Sequence, residues 1–414
     1  MSNEKVMNRW LVVVGAVMIQ LALGAIYAWS VFTPKLKAVG WSKVDTQIVF
    51  SLGLAFFAIV MVFAGKKLAA WGPQKLSLIG GVVLGLGYVL AGLFGGTDFT
   101  KLAIFIGVIG GSGIGFAYVV PIAVGMRWFP DKKGMITGLA VAGFGFGAMG
   151  WVKLAGAWGH LIEKIGLSNT FLTYGIIFAA MVIIGALFMK FPPEGWKPEG
   201  YVEPEAGTAG ASGADFTSGE MLKTPQFYMI FLTFFFGASA GLMSIGLMKL
   251  YPMEALQKSG LSLTEASAAA GTAMAVFFSL ANGLGRIGWG TISDKLGRKT
   301  SIMIMSATQG IVVIAFTFMA GTPALLFLGA TIIGFNFGGN FALFPSITAD
   351  TFGAKNVGNN YPFIFLSYGV GGIVGPIMGG MLGDMNNFGL AFTICGIACL
   401  VGAVLIALVK PATK

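Results

Sequence analysis

Twelve stretches of this chain are apolar for long enough to cross a hydrocarbon layer, and that repetition dictates most of what the chain can become. A layer of about 30 Å takes roughly 20 helical residues. Segments of that kind fall at 10–33, 46–65, 75–96, 102–126, 134–158, 168–190, 226–250, 266–292, 301–321, 323–348, 357–383 and 387–410. Inside lipid every backbone N–H and C=O must be satisfied by the protein itself, so each stretch folds as a helix. The expected fold class is an all-α membrane protein with twelve transmembrane helices. A soluble globule is excluded by 56% hydrophobic and only 10% charged residues. The 64 glycines would weaken soluble helices, but in lipid they let helices approach closely.

An even number of spans puts both termini on one side. Most basic residues lie at the termini and even-numbered connections, among them Lys66, Lys67, Lys132, Lys133, Lys190, Lys295 and Lys299. The opposite connections hold fewer, such as Lys35, Lys101, Lys164 and Lys258. Positive charge stays inside, so both termini are expected to be cytoplasmic in a multi-pass protein of the cell inner membrane. The net charge of +10 is scattered over segment ends rather than gathered in a patch, so the lipid bilayer is the expected partner and nucleic acid is not. The opening MSNEKVMNRW reads as the start of a retained first helix rather than a cleaved leader. Cys395 and Cys399, one helical turn apart in an apolar segment, suit neither a disulfide framework nor a metal site.

Between the sixth and seventh spans the chain turns polar and rich in Pro, Gly, Ser and acids. This divides it into an N-terminal six-helix half (1–192), a cytoplasmic linker (193–224) and a C-terminal six-helix half (225–414). The halves repeat. Pro121 is followed by Gly134, Gly145 and Gly147, and Pro345 by Gly358, Gly369 and Gly371, at the same offsets. Parallel duplication of this kind is a feature of a transporter architecture that places its substrate near the midplane between the halves.

Arg286 is the one charged side chain between Ala266 and Ile292. A guanidinium at a span centre costs about 2.5–3.5 kcal/mol on insertion scales and usually faces the bundle interior or a water-filled path. It cannot escape by losing its proton. Asn282 lies one turn away on the same face, where an amide oxygen can orient the guanidinium without adding charge. The plain alternative is a structural arginine satisfied by helix carbonyls.

The turn after the eighth span reads GTISDKLGRKT, Gly290 to Thr300, and resembles the signature loop of the major facilitator superfamily, G-x-x-x-D-x-x-G-R-K/R. The resemblance implies a conformational latch at Asp294, Gly297 and Arg298, with Asp294 holding donors of a neighbouring helix end. The copy at Gly65, GKKLAAWGPQK, keeps the glycines but lacks the acid. Together, LGAIYAWSVFTPKL in the first span and Arg286 after NGLG in the eighth look like the bacterial oxalate/formate antiporter group and its relatives, the monocarboxylate transporters of the lactate and pyruvate type. The resemblance implies the two pseudo-symmetric six-helix halves of that fold.

This chain departs from those patterns twice. In the monocarboxylate family an acid linked to the transported proton precedes the arginine by four residues; here that position is Asn282. In the oxalate antiporter a lysine lies in the eleventh helix; the matching stretch FLSYGVGGIVGP has none. One buried cation fits one carboxylate, ideally as a bidentate pair. The expected partner is a small organic monoanion such as L-lactate or pyruvate, with protons, taken up by a secondary active transporter working by alternating access. The alternatives are an oxalate/formate-type exchanger and a nontransporting membrane sensor of the same fold.

Further substrate contacts are expected from Tyr118, beside the helix break at Pro121, and from Tyr27, with Trp29 on another face. In the tenth span Asn336 and Asn340 share one face, and Phe337 and Phe341 an adjacent one. A small acid has an apolar end, so the Phe pair is read as cavity wall and the Asn pair as bonding between helices. Phe365 and Tyr368 of the eleventh span are candidates for the far wall. GFGFG at Gly143 to Gly147 is read as helix packing, and His160, at the outer end of the fifth span, as solvated. No cofactor, metal or enzymatic activity is expected, and a monomer is. All 16 acids fall outside the spans as drawn, so a proton would travel with a boundary acid such as Glu254 or on the substrate itself; exchange and uniport are the remaining options.

Overall fold

The computed structural model describes residues 6–41, 43–156, 158–201, 215–248, 250–410 and 412. Twelve helices in it are long and apolar enough to cross a membrane: α1 (Arg9–Trp29), α2 (Ile48–Trp71), α3 (Pro73–Gly95), α4 (Phe99–Trp128), α5 (Lys133–Ala155), α6 (Leu161–Ala186), α7 (Pro225–Leu247), α8 (Leu263–Leu296), α9 (Arg298–Met319), α10 (Pro323–Phe352), α11 (Val357–Gly383) and α12 (Phe388–Leu408). All twelve expected spans are present, and several run further than hydropathy indicates. α2 continues through Lys66 and Lys67 to Trp71, and α10 through Asp350 to Phe352. Long basic side chains at a helix end reach for water while their backbone stays helical. As a result Glu163, Glu265, Asp294 and Asp350 lie inside spanning helices, near their ends, which corrects the reading that every acid falls in a connection.

The chain divides into two compact units, Met1–Glu205 with Val357–Pro362, and Ala206–Asn356 with Phe363–Lys414. In the first, α2 and α4 touch backbone to backbone. A Cβ on Gly111 would stand 2.5 Å from the Gly53 carbonyl oxygen, and one on Gly115 2.6 Å from that of Phe57. α5 meets α1 similarly, where a Cβ on Gly143 would lie 2.7 Å from the Val17 oxygen. GFGFG is therefore a packing surface. In the second unit α9 and α12 cross with Gly310 2.7 Å from the Gly396 oxygen by the same measure, and α8 and α10 touch where Gly338 faces the Asn282 carbonyl. Contact this close needs glycine.

Among the described residues regular α geometry lapses at five places, one of them Gly166 in α6, with φ 80° and ψ 169°. α1 ends in a 3-10 segment, Gly24–Val31, and π-helical segments occupy Ala91–Gly95, Ala103–Gly110 and Ala273–Phe278. In α8 the widened turn lets the Met274 carbonyl accept from both the backbone N–H and the hydroxyl of Ser279, the hydroxyl at 2.9 Å. π segments interrupt helices most often near functional positions, and this one precedes Asn282.

Residues 202–214 of the expected linker lie outside the described residues. Its end is tied down. Phe216 N donates to the Phe352 oxygen at 2.9 Å, Asn356 Nδ2 donates to the Phe216 oxygen at 2.9 Å, and Thr217 with Glu220 forms a capping box on helix Ser218–Met221. Glu254 lies outside the spans in a short helix, Leu250–Lys258.

Candidate functional site

Arg286 is fully buried in α8. Its Nε donates to Asn282 Oδ1 at 3.2 Å, and its guanidinium carbon stands 4.2 Å from the centroid of the Phe341 ring. The amide oxygen and the negative face of the ring are the neutral partners a buried cation can use without an acid. Both depend on the close approach of α8 to α10, because Gly338 lets the helices meet at the Asn282 carbonyl. Pro345 gives up the amide hydrogen that would bond the Phe341 carbonyl, so the helix is interrupted beneath this ring.

Phe341 is the hub of an aromatic cluster. Phe337 and Tyr368 each lie 5.3 Å from it between centroids, Phe365 6.4 Å and Phe234 6.2 Å. Phe337 also fills the notch over Gly241 of α7. Asn282, Arg286, Phe337, Phe341, Phe365 and Tyr368 are thus brought together in the second unit. Phe234 of α7 joins them, stacked on Phe344 at 4.3 Å. The run Phe234-Phe235-Phe236 was the available signal for it, but a run does not say which ring points inward. A cation walled by rings can hold an anion that has a small apolar body.

The two asparagines divide. Asn336 bonds between helices, accepting from Trp289 Nε1 of α8 at 3.0 Å and donating to Thr308 Oγ1 of α9 at 3.0 Å. Asn340 instead donates to the Phe337 carbonyl of its own helix at 3.1 Å. The expected bond to a neighbour fails there because α7 presents Gly237 to it.

In the first unit Tyr118 is buried, edge-on to Phe57 at 4.9 Å and to Phe144 at 5.6 Å. Tyr27 meets the same Phe144 edge-on at 5.1 Å. These two candidates therefore share one cluster, to which Phe57 and Phe144 are additions. Gln20 Nε2 donates to the Tyr118 carbonyl at 3.3 Å, and Trp29 Nε1 to the Thr46 carbonyl at 2.9 Å.

At the signature loop Gly297 takes φ 82° and turns the chain sharply from α8 into α9. Arg298 then pairs with Asp294 Oδ1 through Nη2 at 2.6 Å and with Asp350 Oδ2 of α10 through Nε at 3.2 Å. Asp350 was not anticipated from sequence. Gly72 repeats the turn at φ 78°, with Ala69 and Pro73 standing where the second half has Asp294 and Arg298.

The family model for the Major Facilitator Superfamily matches residues 10–277 and 250–414. The chain belongs to that superfamily. It is a multi-pass membrane transporter, not an enzyme. Among superfamily members it is 32% identical over 372 residues to the uncharacterized MFS-type transporter YhjX of Escherichia coli (strain K12), covering 88% of this chain and 86% of that one. It is 27% identical over 408 residues to the oxalate:formate antiporter of Oxalobacter formigenes, covering 98% and 92%. To apicoplast pyruvate carrier 1 of Toxoplasma gondii it is 26% identical over 376 residues, covering 78% and 66%.

Cys395 and Cys399 are buried packing residues. His160 lies beyond the end of α5, as the left-handed N-cap of α6, with Nδ1 3.2 Å from Glu163 Oε2. Among the described residues no group of three or more His, Cys, Asp and Glu is arranged to hold a metal ion.

Proposed function

We propose that this transporter carries small monocarboxylates of the lactate and pyruvate type across the cell inner membrane, by proton-linked alternating access, as a monomer with both termini cytoplasmic. The observation that carries the reading is the fully buried Arg286, oriented by Asn282 and resting on Phe341. Asn282 occupies the Nε edge of the guanidinium. The substrate carboxylate would pair with this guanidinium, which favours bidentate carboxylate contacts. Phe341, Phe337, Phe365 and Tyr368 would enclose the substrate's apolar remainder, and Tyr118 and Tyr27 are the first half's candidates for substrate contact. The similarity to a pyruvate carrier supports the substrate class, as does formate in the name of the antiporter. Asp294, Gly297 and Arg298, with Asp350, are assigned as a latch broken and remade during the cycle. Nearest the substrate the acid position is Asn282, so the proton is assigned to travel with the substrate.

The similarity to an oxalate:formate antiporter over 98% of this chain favours a second reading, exchange of organic anions. Uptake of labelled L-lactate into proteoliposomes under an inward proton gradient, for the native protein and Arg286→Ala, separates them. The proposal expects proton-stimulated native uptake and none in the variant. Ready oxalate exchange with L-lactate ignored would overturn it.

A further inference from the structure

The turn joining α2 to α3 carries a cationic aromatic strip with no part in the proposed transport chemistry. Trp71 ends α2 and Pro73 begins α3, so the indole sits at the edge of the bilayer, where tryptophan is enriched. Two ammonium groups approach that ring. Lys67 Nζ is 5.8 Å from its centroid and Lys75 Nζ 5.6 Å. Lys67 Nζ also stands 5.9 Å from the Phe63 ring.

Phe63 is 43% exposed on the membrane side of this group. It touches Trp71 edge-on at 5.8 Å and Phe116 of α4 at 6.0 Å. The strip therefore grades from bare aromatic surface inside the hydrocarbon layer to two cations at its boundary. That gradient matches a phospholipid, apolar along its chains and anionic at its phosphate. Among the described residues neither Lys67 nor Lys75 is held in an ion pair with a carboxylate.

The turn itself does not require these residues. The second half builds the same turn, with Gly297 at φ 82°, ψ 152° against Gly72 at φ 78°, ψ 157°. At the positions matching Phe63, Lys67, Trp71 and Lys75 it carries Gly288, Ile292, Leu296 and Thr300. One copy of the repeat has the strip and the other makes the turn without it.

We propose that Phe63, Lys67, Trp71 and Lys75 form a binding site for one anionic phospholipid, its phosphate between the two ammonium groups and an acyl chain along Phe63 and Phe116. A basic side chain near an anionic lipid surface contributes about fivefold in affinity. This inference is independent of the transported substrate.

The test is fluorescence quenching in nanodiscs of phosphatidylcholine carrying acyl-brominated phosphatidylglycerol as the minor lipid. Trp71 is read as the difference between the native protein and Trp71→Phe. Quenching should saturate at a lower mole fraction of brominated phosphatidylglycerol than of brominated phosphatidylcholine. The double variant Lys67→Gln/Lys75→Gln should raise the half-saturation point by about 25-fold if the two lysines act additively. Lys132→Gln/Lys190→Gln, which removes two charges at other helix ends, should leave it in place. Equal quenching by the two lipids would overturn the proposal, as would an equal effect of the control pair, which would mean a diffuse positive surface. Complete displacement by inorganic phosphate would also overturn it, assigning the cations to a soluble anion.

Discussion

The guanidinium of Arg286 lies 4.2 Å from the centroid of the Phe341 ring, so a cation from α8 rests on an aromatic face from α10. Two helices of the second half, separated in sequence by α9, thereby share one electrostatic contact at the centre of the proposed site. The ring attracts the cation without neutralising it, and a neutralised arginine would have little left to offer an anion. Phe341 and Asn282 thus hold the charge in place while leaving it charged.

Arg286→Ala separates a binding arginine from a structural one. Removing a charge from a span centre relieves about 2.5–3.5 kcal/mol of insertion cost. The thermal midpoint of the purified variant should hold or rise while L-lactate uptake disappears. A variant that loses stability and keeps uptake would make the arginine structural.

Phe341→Leu keeps an apolar wall and deletes the ring face. A desolvated cation–π contact is worth about 0.5–2 kcal/mol, so the half-saturating L-lactate concentration should rise by about 2-fold to 30-fold, read in proteoliposome uptake. An unchanged value would mean the ring does not hold the cation.

Gly338→Ala tests the approach of α8 to α10. The new methyl would fall on the Asn282 carbonyl, and overpacking of this kind costs about 1–3 kcal/mol. Both thermal stability and lactate affinity should fall, because the same shift moves Asn282 and Arg286 away from Phe341. Gly380→Ala, at a glycine with open space around it, is the control that should change neither.

What the sequence reveals and conceals follows from the range of each interaction. The twelve helices are legible because lipid demands them, segment by segment, and Asn282 beside Arg286 because an i, i+4 spacing suffices. Helix ends are less legible. Lys66 and Lys67 look like the end of a span, yet α2 runs on to Trp71, because charged side chains leave a membrane before their backbone does. Phe234 and Asp350 were missed since each meets its partner across more than fifty residues of chain, where no period points. The Asn340 bond turned inward for the same reason, as nothing local reveals that α7 presents Gly237 to it.

Asp350→Asn addresses the latch. Arg298 and Asp350 are 11% and 14% exposed, so their pairing is screened less than a surface pair, and losing one carboxylate should cost on the order of 1–3 kcal/mol. The thermal midpoint should fall, and its dependence on salt should weaken. If Arg298 acts as a latch, transport rate should change with little effect on lactate affinity; an affinity change alone would make the network part of the binding site.

Asn282→Asp carries the most information. The new carboxylate would stand within hydrogen-bond reach of Arg286 Nε, where Asn282 Oδ1 is now at 3.2 Å. Ionised, it pairs with the guanidinium and competes with the substrate; protonated, it returns to the neutral role of the amide. The substrate carboxylate, with a pKa of about 4 or below, stays an anion over most of that range. Lactate affinity should therefore be poor at high pH and recover as pH falls through the pKa of the new acid, a steeper dependence than that of the native protein over the same range. Binding to the detergent-solubilised protein, measured calorimetrically at several pH values, reads this without any transmembrane gradient. Recovery at low pH would place the anion on Arg286. A variant that binds lactate as the native protein does at every pH would place it elsewhere, because a fixed negative charge beside the receptor guanidinium cannot leave an anion's affinity unchanged.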